Sequence, residues 1–216
     1  YFEGHFPTIT QRDWADTAHE TTPTYLKKFK DIEQANIAIG MPSINFSNKL
    51  DMPLMLVNNM VGGGMSSRLF QEIRENLGLA YNVYTYPSAY INNGVMSIYI
   101  GTNLKSVSKS IEATAKVIDD IKKNGLSKKE IERGIQQLKG TYVLGQESTG
   151  ALMRVYAKYA LFNDELFDID KKLEEIDAIT PEQVNEVIAQ CFDTTKASVT
   201  YVGKSVKGNL LEIFNS

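Results

Sequence analysis

The run from Gly62 to Tyr81, GGGMSSRLFQEIRENLGLAY, constrains the fold more than any other part of this chain. Three consecutive glycines allow backbone turns that are closed to other residues. Leu69, Phe70, Ile73 and Leu77 then recur at spacings of three and four, which predicts an amphipathic helix with its apolar stripe against a core. Ser66 or Ser67 offers an N-cap, the helix is expected to run to about Asn76, and Gly78 ends it. Tyr81 to Ile91 is rich in Tyr, Val and Thr and reads as a strand. A helix running straight into a strand brings two polar side chains near one point. They are Arg74 from the helix end and Tyr81 from the strand start.

The flanking segments extend the same architecture. Gln34 to Met41 alternates Ile37, Ile39 and Met41 on one face, a strand pattern. Asp51 to Val61 reads as a helix with Pro53 near its first turn. Asn92-Asn93-Gly94 predicts a hairpin between Tyr81–Ile91 and a second strand, Val95–Gly101, because Asn-Gly suits a turn with positive φ. Leu104, Val107, Ile111, Ala115, Ile118 and Ile121 mark a long helix that Asn124-Gly125 stop. Ser127 and Glu130 form a capping box for the next helix, whose stripe is Ile131, Ile135, Leu138 and Tyr142. Gly145 to Gly150 interrupt, and helical segments follow near 150–162 and 166–177. Thr180-Pro181-Glu182-Gln183 is a second capping box with proline at the first helical position, and Lys196–Gly203 is the last strand. Hairpin pairing with helices clustered after the strands defines an α+β fold: an antiparallel β-sheet with helices packed mainly on one face.

Composition narrows the function. The chain has 216 residues, 43% hydrophobic content and a net charge of −3 without a block of like charges. That argues against binding nucleic acid or an anionic membrane. Its apolar runs fall far short of the ~20 residues of a membrane span. The single cysteine, Cys191, precludes an internal disulfide and fits a reducing, cytoplasmic compartment. Residues 5–31 carry Pro7, Pro23, several threonines and mixed charges, a linker-like composition with one short strand expected near Phe6–Thr10. The chain starts at Tyr1 rather than Met, so it is expected to be a piece of something longer. Tyr1 to Gly4 reads as the end of a preceding domain in preference to a protease-tag scar.

No catalytic set stands out. The histidines are His5 and His19, both in the linker-like region, and neither H-E-x-x-H nor H-x-x-E-H is present. No G-x-S-x-G occurs, and Gly62-Gly63-Gly64 lacks the Lys-Ser/Thr of a phosphate loop. Cys191 beside Phe192 reads as a buried, inert thiol. Glu72, Glu75 and Glu147 read as solvated carboxylates, and the tyrosines at 81, 84, 86, 90 and 99 as sheet-packing residues. On residue patterns alone, Arg74 is a surface arginine and Tyr81 a strand tyrosine.

A family resemblance adds to this. DIEQANIAIGMPS (31–43), VNNMVGGGMSSRLFQEIRENLGLAYNVY (57–84), GLSKKEIERGIQQLKGTY (125–142) and ITPEQVNEVIAQCFDTTKASVTYVG (179–203) together resemble the C-terminal domain of one peptidase family. It is the pitrilysin, insulinase and mitochondrial processing peptidase family of zinc metallopeptidases. The resemblance implies paired homologous domains closing like a clamshell on a peptide. The zinc site, an H-x-x-E-H with a distal Glu, belongs to the N-terminal domain of that family. Residues 1–30 would then be the tail of the preceding domain and an interdomain linker, and 31–216 the C-terminal domain without the zinc motif. Arg74 and Tyr81 resemble the Arg–Tyr pair that the second half of active relatives brings to the opposed zinc site. Gly62, Gly63 and Gly64 stand where the processing peptidase has a longer substrate-handling glycine loop. The implied function is the substrate-binding half of a zinc endopeptidase, with zinc in the parent protein and none bound by this stretch. The implied partners are a peptide or small protein substrate, the N-terminal zinc domain and a second copy in a homodimer, with no nucleic acid and no membrane. The alternative is a non-catalytic scaffold or partner subunit.

Overall fold

A computed structural model describes residues 22–46, 48–162 and 166–216. Its centre is a five-stranded sheet in the order β1-β5-β2-β4-β3. The strands are β1 (Tyr25–Phe29), β2 (Gln34–Ser43), β3 (Ala80–Ala89), β4 (Gly94–Asn103) and β5 (Ser198–Gly203). β2, β3 and β4 pair antiparallel, as does β5 on β2, but β1 runs parallel to β5. The sheet is therefore mixed, not wholly antiparallel. β1 lies inside the segment read as linker. Four of its five residues are exposed, so no burial pattern marks it. Lys27 and Lys28 on this edge discourage pairing with a further chain. The strand expected near Phe6–Thr10 and both histidines lie outside the described residues.

One face of the sheet makes the core. In β2, Ala35, Ile37, Ile39 and Met41 are buried, alternating with half-buried neighbours. Met96, Ile98 and Ile100 of β4 and Val199 and Tyr201 of β5 join them. The helices that supply the other side are α1 (Asp51–Val61), α2 (Val107–Asn124), α3 (Lys128–Gly145) and α6 (Pro181–Cys191). α4 (Thr149–Phe162), α5 (Ile169–Asp177) and α7 (Leu210–Phe214) complete the α-helices of the described residues. Both capping boxes are formed, at Ser127–Glu130 and at Thr180–Gln183 with Pro181 leading α6. Cys191 is fully buried, 3.3 Å from the Ser43 hydroxyl, and burial pushes its thiol pKa up. None of the helices among the described residues is long and apolar enough to cross a membrane.

Three local expectations are revised. Gly94 is not a turn residue but the first of β4. A Cβ there would sit 2.0 Å from the Ile44 carbonyl oxygen, so close backbone approach requires the glycine. The last strand starts at Ser198, after a 3₁₀ turn at Thr194–Lys196. Leu104 likewise sits in a 3₁₀ turn, 38% exposed, ahead of the helix it was expected to begin.

Candidate functional site

The segment after the glycines is helical but wound wider than an α-helix. Phe70–Asn76 is a π-helix, and the Leu77 amide reaches back five residues to the Glu72 carbonyl. Widened turns of this kind occur often at functional sites. Leu69 and Ile73 are fully buried, and Phe70 is half-buried. Leu77, expected in the same stripe, is 47% exposed because the wider turn rotates it off the core. Neither serine caps the helix with its side chain: Ser67 is buried and its hydroxyl has no partner among the described residues. Gly78, at φ +60°, ends the segment as expected.

The helix start is held by Arg68. Its Nε and one terminal nitrogen donate to the two Glu130 carboxylate oxygens at 2.7 and 2.8 Å. The other terminal nitrogen reaches Asp120 at 2.8 Å, and the Gly125 carbonyl accepts at 3.0 Å. Glu130 also accepts from the Ser127 amide and hydroxyl, both at 2.7 Å. The Arg68 hydrogen bonds, helped by Ser127 and opposed by burial, hold the Glu130 carboxyl at about 2. The capping box of α3 thus also fixes the segment that carries Arg74. The sequence marks the capping box but not its use by Arg68, because the two lie 62 residues apart.

Arg74 itself is lightly held. Its side chain is 44% exposed, its guanidinium lies 4.9 Å from the centre of the Phe70 ring, and Glu75 is 3.9 Å away. Tyr81 is 58% exposed, and its hydroxyl has no hydrogen-bond partner among the described residues. A β-bulge makes this possible. Ala80 pairs with Thr102 and Asn82 with Gly101, so Tyr81 is the extra residue and both Tyr81 and Asn82 point off the core. Bulges re-aim side chains in this way beside active sites.

Arg74 and the three glycines share a groove of about 380 Å³ with Met65, Phe70, Asn82 and Tyr84. Tyr81 borders it in sequence but is not among its lining residues. The glycines do not act through reversed φ: the positive-φ glycines of the described residues are Gly78, Gly125 and Gly208. They permit close approach instead. A Cβ on Gly62 would lie 2.6 Å from the Thr85 amide nitrogen, and one on Gly63 would lie 2.7 Å from Asn59. Thr85 donates through its amide to Gly62 and through its hydroxyl to Asn58, which pins the loop to β3. Sequence patterns missed Asn82, which only the bulge exposes.

Below the groove, the sheet face away from the core is aromatic. Tyr84 stacks on Tyr99 at 4.9 Å and lies 5.9 Å from Tyr86. Tyr99 donates to Asn36 at 2.7 Å, and burial with Tyr84 nearby raises its pKa. No group of three or more His, Cys, Asp or Glu side chains among the described residues is arranged to hold a metal ion. The described residues therefore offer donors and a groove.

The fold has close counterparts. The peptidase M16 inactive domain from Pseudomonas fluorescens superposes with a TM-score of 0.77 at 20% identity, covering 87% of this chain and 45% of that one. A protease from Helicobacter pylori gives 0.73 at 17% identity, covering 89% and 48%. These likenesses show that the fold is shared. The sequence goes further: residues 4–138 match the family described as peptidase M16 inactive domain, and the chain belongs to that family. An uncharacterized zinc protease of Bacillus subtilis is 35% identical over 77% of this chain. One of Streptomyces coelicolor is 39% identical over 72%. This chain spans 41% and 34% of the lengths of those two relatives.

Proposed function

We propose that this chain is the substrate-binding half of a zinc-dependent endopeptidase, with the zinc carried by the half that precedes it in a longer protein. The similarity to proteins called zinc proteases supports the parent activity. The observation that carries the residue assignment is the bulge at Tyr81. It puts an unpartnered phenol on the surface, next in the chain to Asn82, which lines a groove shared with the exposed guanidinium of Arg74. Tyr81 has no hydrogen-bond partner among the described residues, and Arg74 rests on the Phe70 ring and an exposed Glu75.

The chemistry assigned to this chain is donor chemistry. Negative charge builds on the carbonyl oxygen as a peptide bond is hydrolysed. A phenol O–H and a guanidinium aimed at that oxygen stabilise it, and a fork of N–H donors also holds neighbouring carbonyls. The groove of Gly62–Gly64, Phe70 and Asn82 receives the adjoining peptide, and the tyrosine face flanks its path. Substrates on this reading are peptides or small proteins, in a cytoplasmic setting and without a membrane or nucleic-acid partner. Residues before the sheet form the link to the zinc half.

The test is steady-state kinetics of the full-length protein on a quenched-fluorescence peptide. Tyr81→Phe is expected to lower kcat on the order of 10²-fold with a smaller change in KM, since the lost hydrogen bond matters most in the transition state. Unchanged kcat would reduce Tyr81 to a surface tyrosine and favour a non-catalytic scaffold or partner subunit.

A further inference from the structure

Along the core face of β4, Met96, Ile98 and Ile100 are followed by Thr102, and all four are fully buried. A valine would continue that series with nearly the same shape. Threonine adds a hydroxyl, which needs a partner inside the core. Its partner is the Leu79 carbonyl, 2.5 Å from Thr102 Oγ1. The buried Ser110 hydroxyl, from α2, lies 3.3 Å from the same carbonyl and 3.4 Å from Thr102 Oγ1, so its single proton supports either acceptor. Thr114, the next buried hydroxyl of α2, donates instead to the Ser110 carbonyl within its own helix. Leu79 is held from its other side as well. Its amide donates to the Ile73 carbonyl at 2.9 Å, and Gly78, at φ +60°, turns the chain between the two.

We infer that Thr102 is a positioning residue for the Arg74–Tyr81 pair. Its hydroxyl, seconded by Ser110, fixes the point in the chain from which both side chains take their places. Ile73 comes directly before Arg74, and Leu79 stands two residues before Tyr81. Leu79 therefore ties the end of the helix that carries Arg74 to the strand start that carries Tyr81. The ladder cannot do this alone. Thr102 faces Ala80 and Gly101 faces Asn82, which leaves Tyr81 between them as the unpaired residue of the bulge. What sets the bulge is the anchored residue just before it. Position matters here because a displacement of about 1 Å can cost on the order of 10²-fold in rate. The inference rests on the reading of Arg74 and Tyr81 as oxyanion donors.

Thr102→Val and Thr102→Ser in the full-length protein test it. Each is measured by kinetics on the quenched-fluorescence peptide and by fluorine NMR of a fluorinated tyrosine placed at position 81 or, as a control on the same strand, at position 86. Thr102→Val is expected to lower kcat about tenfold or more with KM within about twofold. It should shift or broaden the signal at 81 and leave the signal at 86 in place. Thr102→Ser, which keeps the hydroxyl, should return both kcat and the signal at 81 toward the unmutated values. Ser110→Ala, the milder loss, should move the signal at 81 in the same direction as Thr102→Val. An unmoved signal at 81 in Thr102→Val would overturn the inference. So would equal behaviour of the serine and valine variants, or movement of both signals together, which marks a general loosening of the strand. A signal at 81 that moves while kcat stays unchanged in both Thr102→Val and Tyr81→Phe would leave Thr102 fixing the bulge and overturn the donor reading instead.

Discussion

Two arginines in the same short segment do different work. Arg68 is held on three sides, whereas Arg74 rests on a ring and an exposed carboxylate. An exposed ion pair contributes ~0–1 kcal/mol, and a surface cation–π contact about 0.5–1 kcal/mol. Arg74→Ala should therefore leave the urea midpoint nearly unchanged while lowering kcat/KM of the full-length protein at least tenfold. Loss of several kcal/mol of stability would make Arg74 a structural residue and remove it from the site. Arg68→Ala should do the reverse and show it in acid. Glu130 titrates at about 2, down from 4.5, so its contribution to stability is complete above 4.5 and lost as pH falls through 2. The thermal midpoint of the unmutated protein should drop across that window. In Arg68→Ala the main cause of the depressed pKa is gone, so the drop should be shallower. Parallel pH profiles would show that Arg68 does not hold the Glu130 carboxylate.

At the scale of elements, the glycine loop and the strand behind it form one packed unit. Gly62→Ala drives a Cβ into the Thr85 backbone at 2.6 Å, a clash that costs roughly 1–3 kcal/mol. Gly64→Ala meets only Gln137 at 3.9 Å and should be within about 0.5 kcal/mol of neutral. Equal urea midpoints for the two variants would refute the packing account of Gly62. The same segment shows what sequence patterns carry and what they miss. Alternation in Gln34–Met41, the two capping boxes and the stripe through Ile111, Ile118 and Ile121 each reflect a local rule, and the structure keeps them. The π-helix at Phe70–Asn76 looks like an α-helix in sequence, since the extra residue per turn changes no residue type. The bulge at Tyr81 is equally silent, because Ala80, Tyr81 and Val83 all suit a strand. β1 escaped because four of its five residues face solvent and its partner comes far later in the chain. Arg74 and Tyr81 were legible as candidates only through the family resemblance, and their neighbour Asn82 not at all.

At the scale of the molecule, the proposed function sets a facing half against the open tyrosine face and the exposed Arg74 and Tyr81. A homodimer of the full-length protein, with each Arg74 and Tyr81 serving the other subunit, predicts complementation between two inactive variants. One would lack zinc ligands and the other carry Arg74→Ala with Tyr81→Phe. After subunit exchange the mixture should regain up to about a quarter of the original activity, from the one intact site of each mixed dimer. Exchange without recovery would rule out action in trans. The parallel pairing of β1 with β5 has a separate bearing, on how the protein is made. Thr24 and Ser198 are 174 residues apart, yet β5 sits between β1 and β2. A ribosome has therefore to deliver the 174 residues from Thr24 to Ser198 before β5 can join its two neighbours. Until β5 emerges, β2 has one bare edge ten residues long, the kind of edge that pairs with other nascent chains. Early release of the polypeptide before Ser198 would leave that edge bare for good, so the final strand also guards the newborn protein against its own copies.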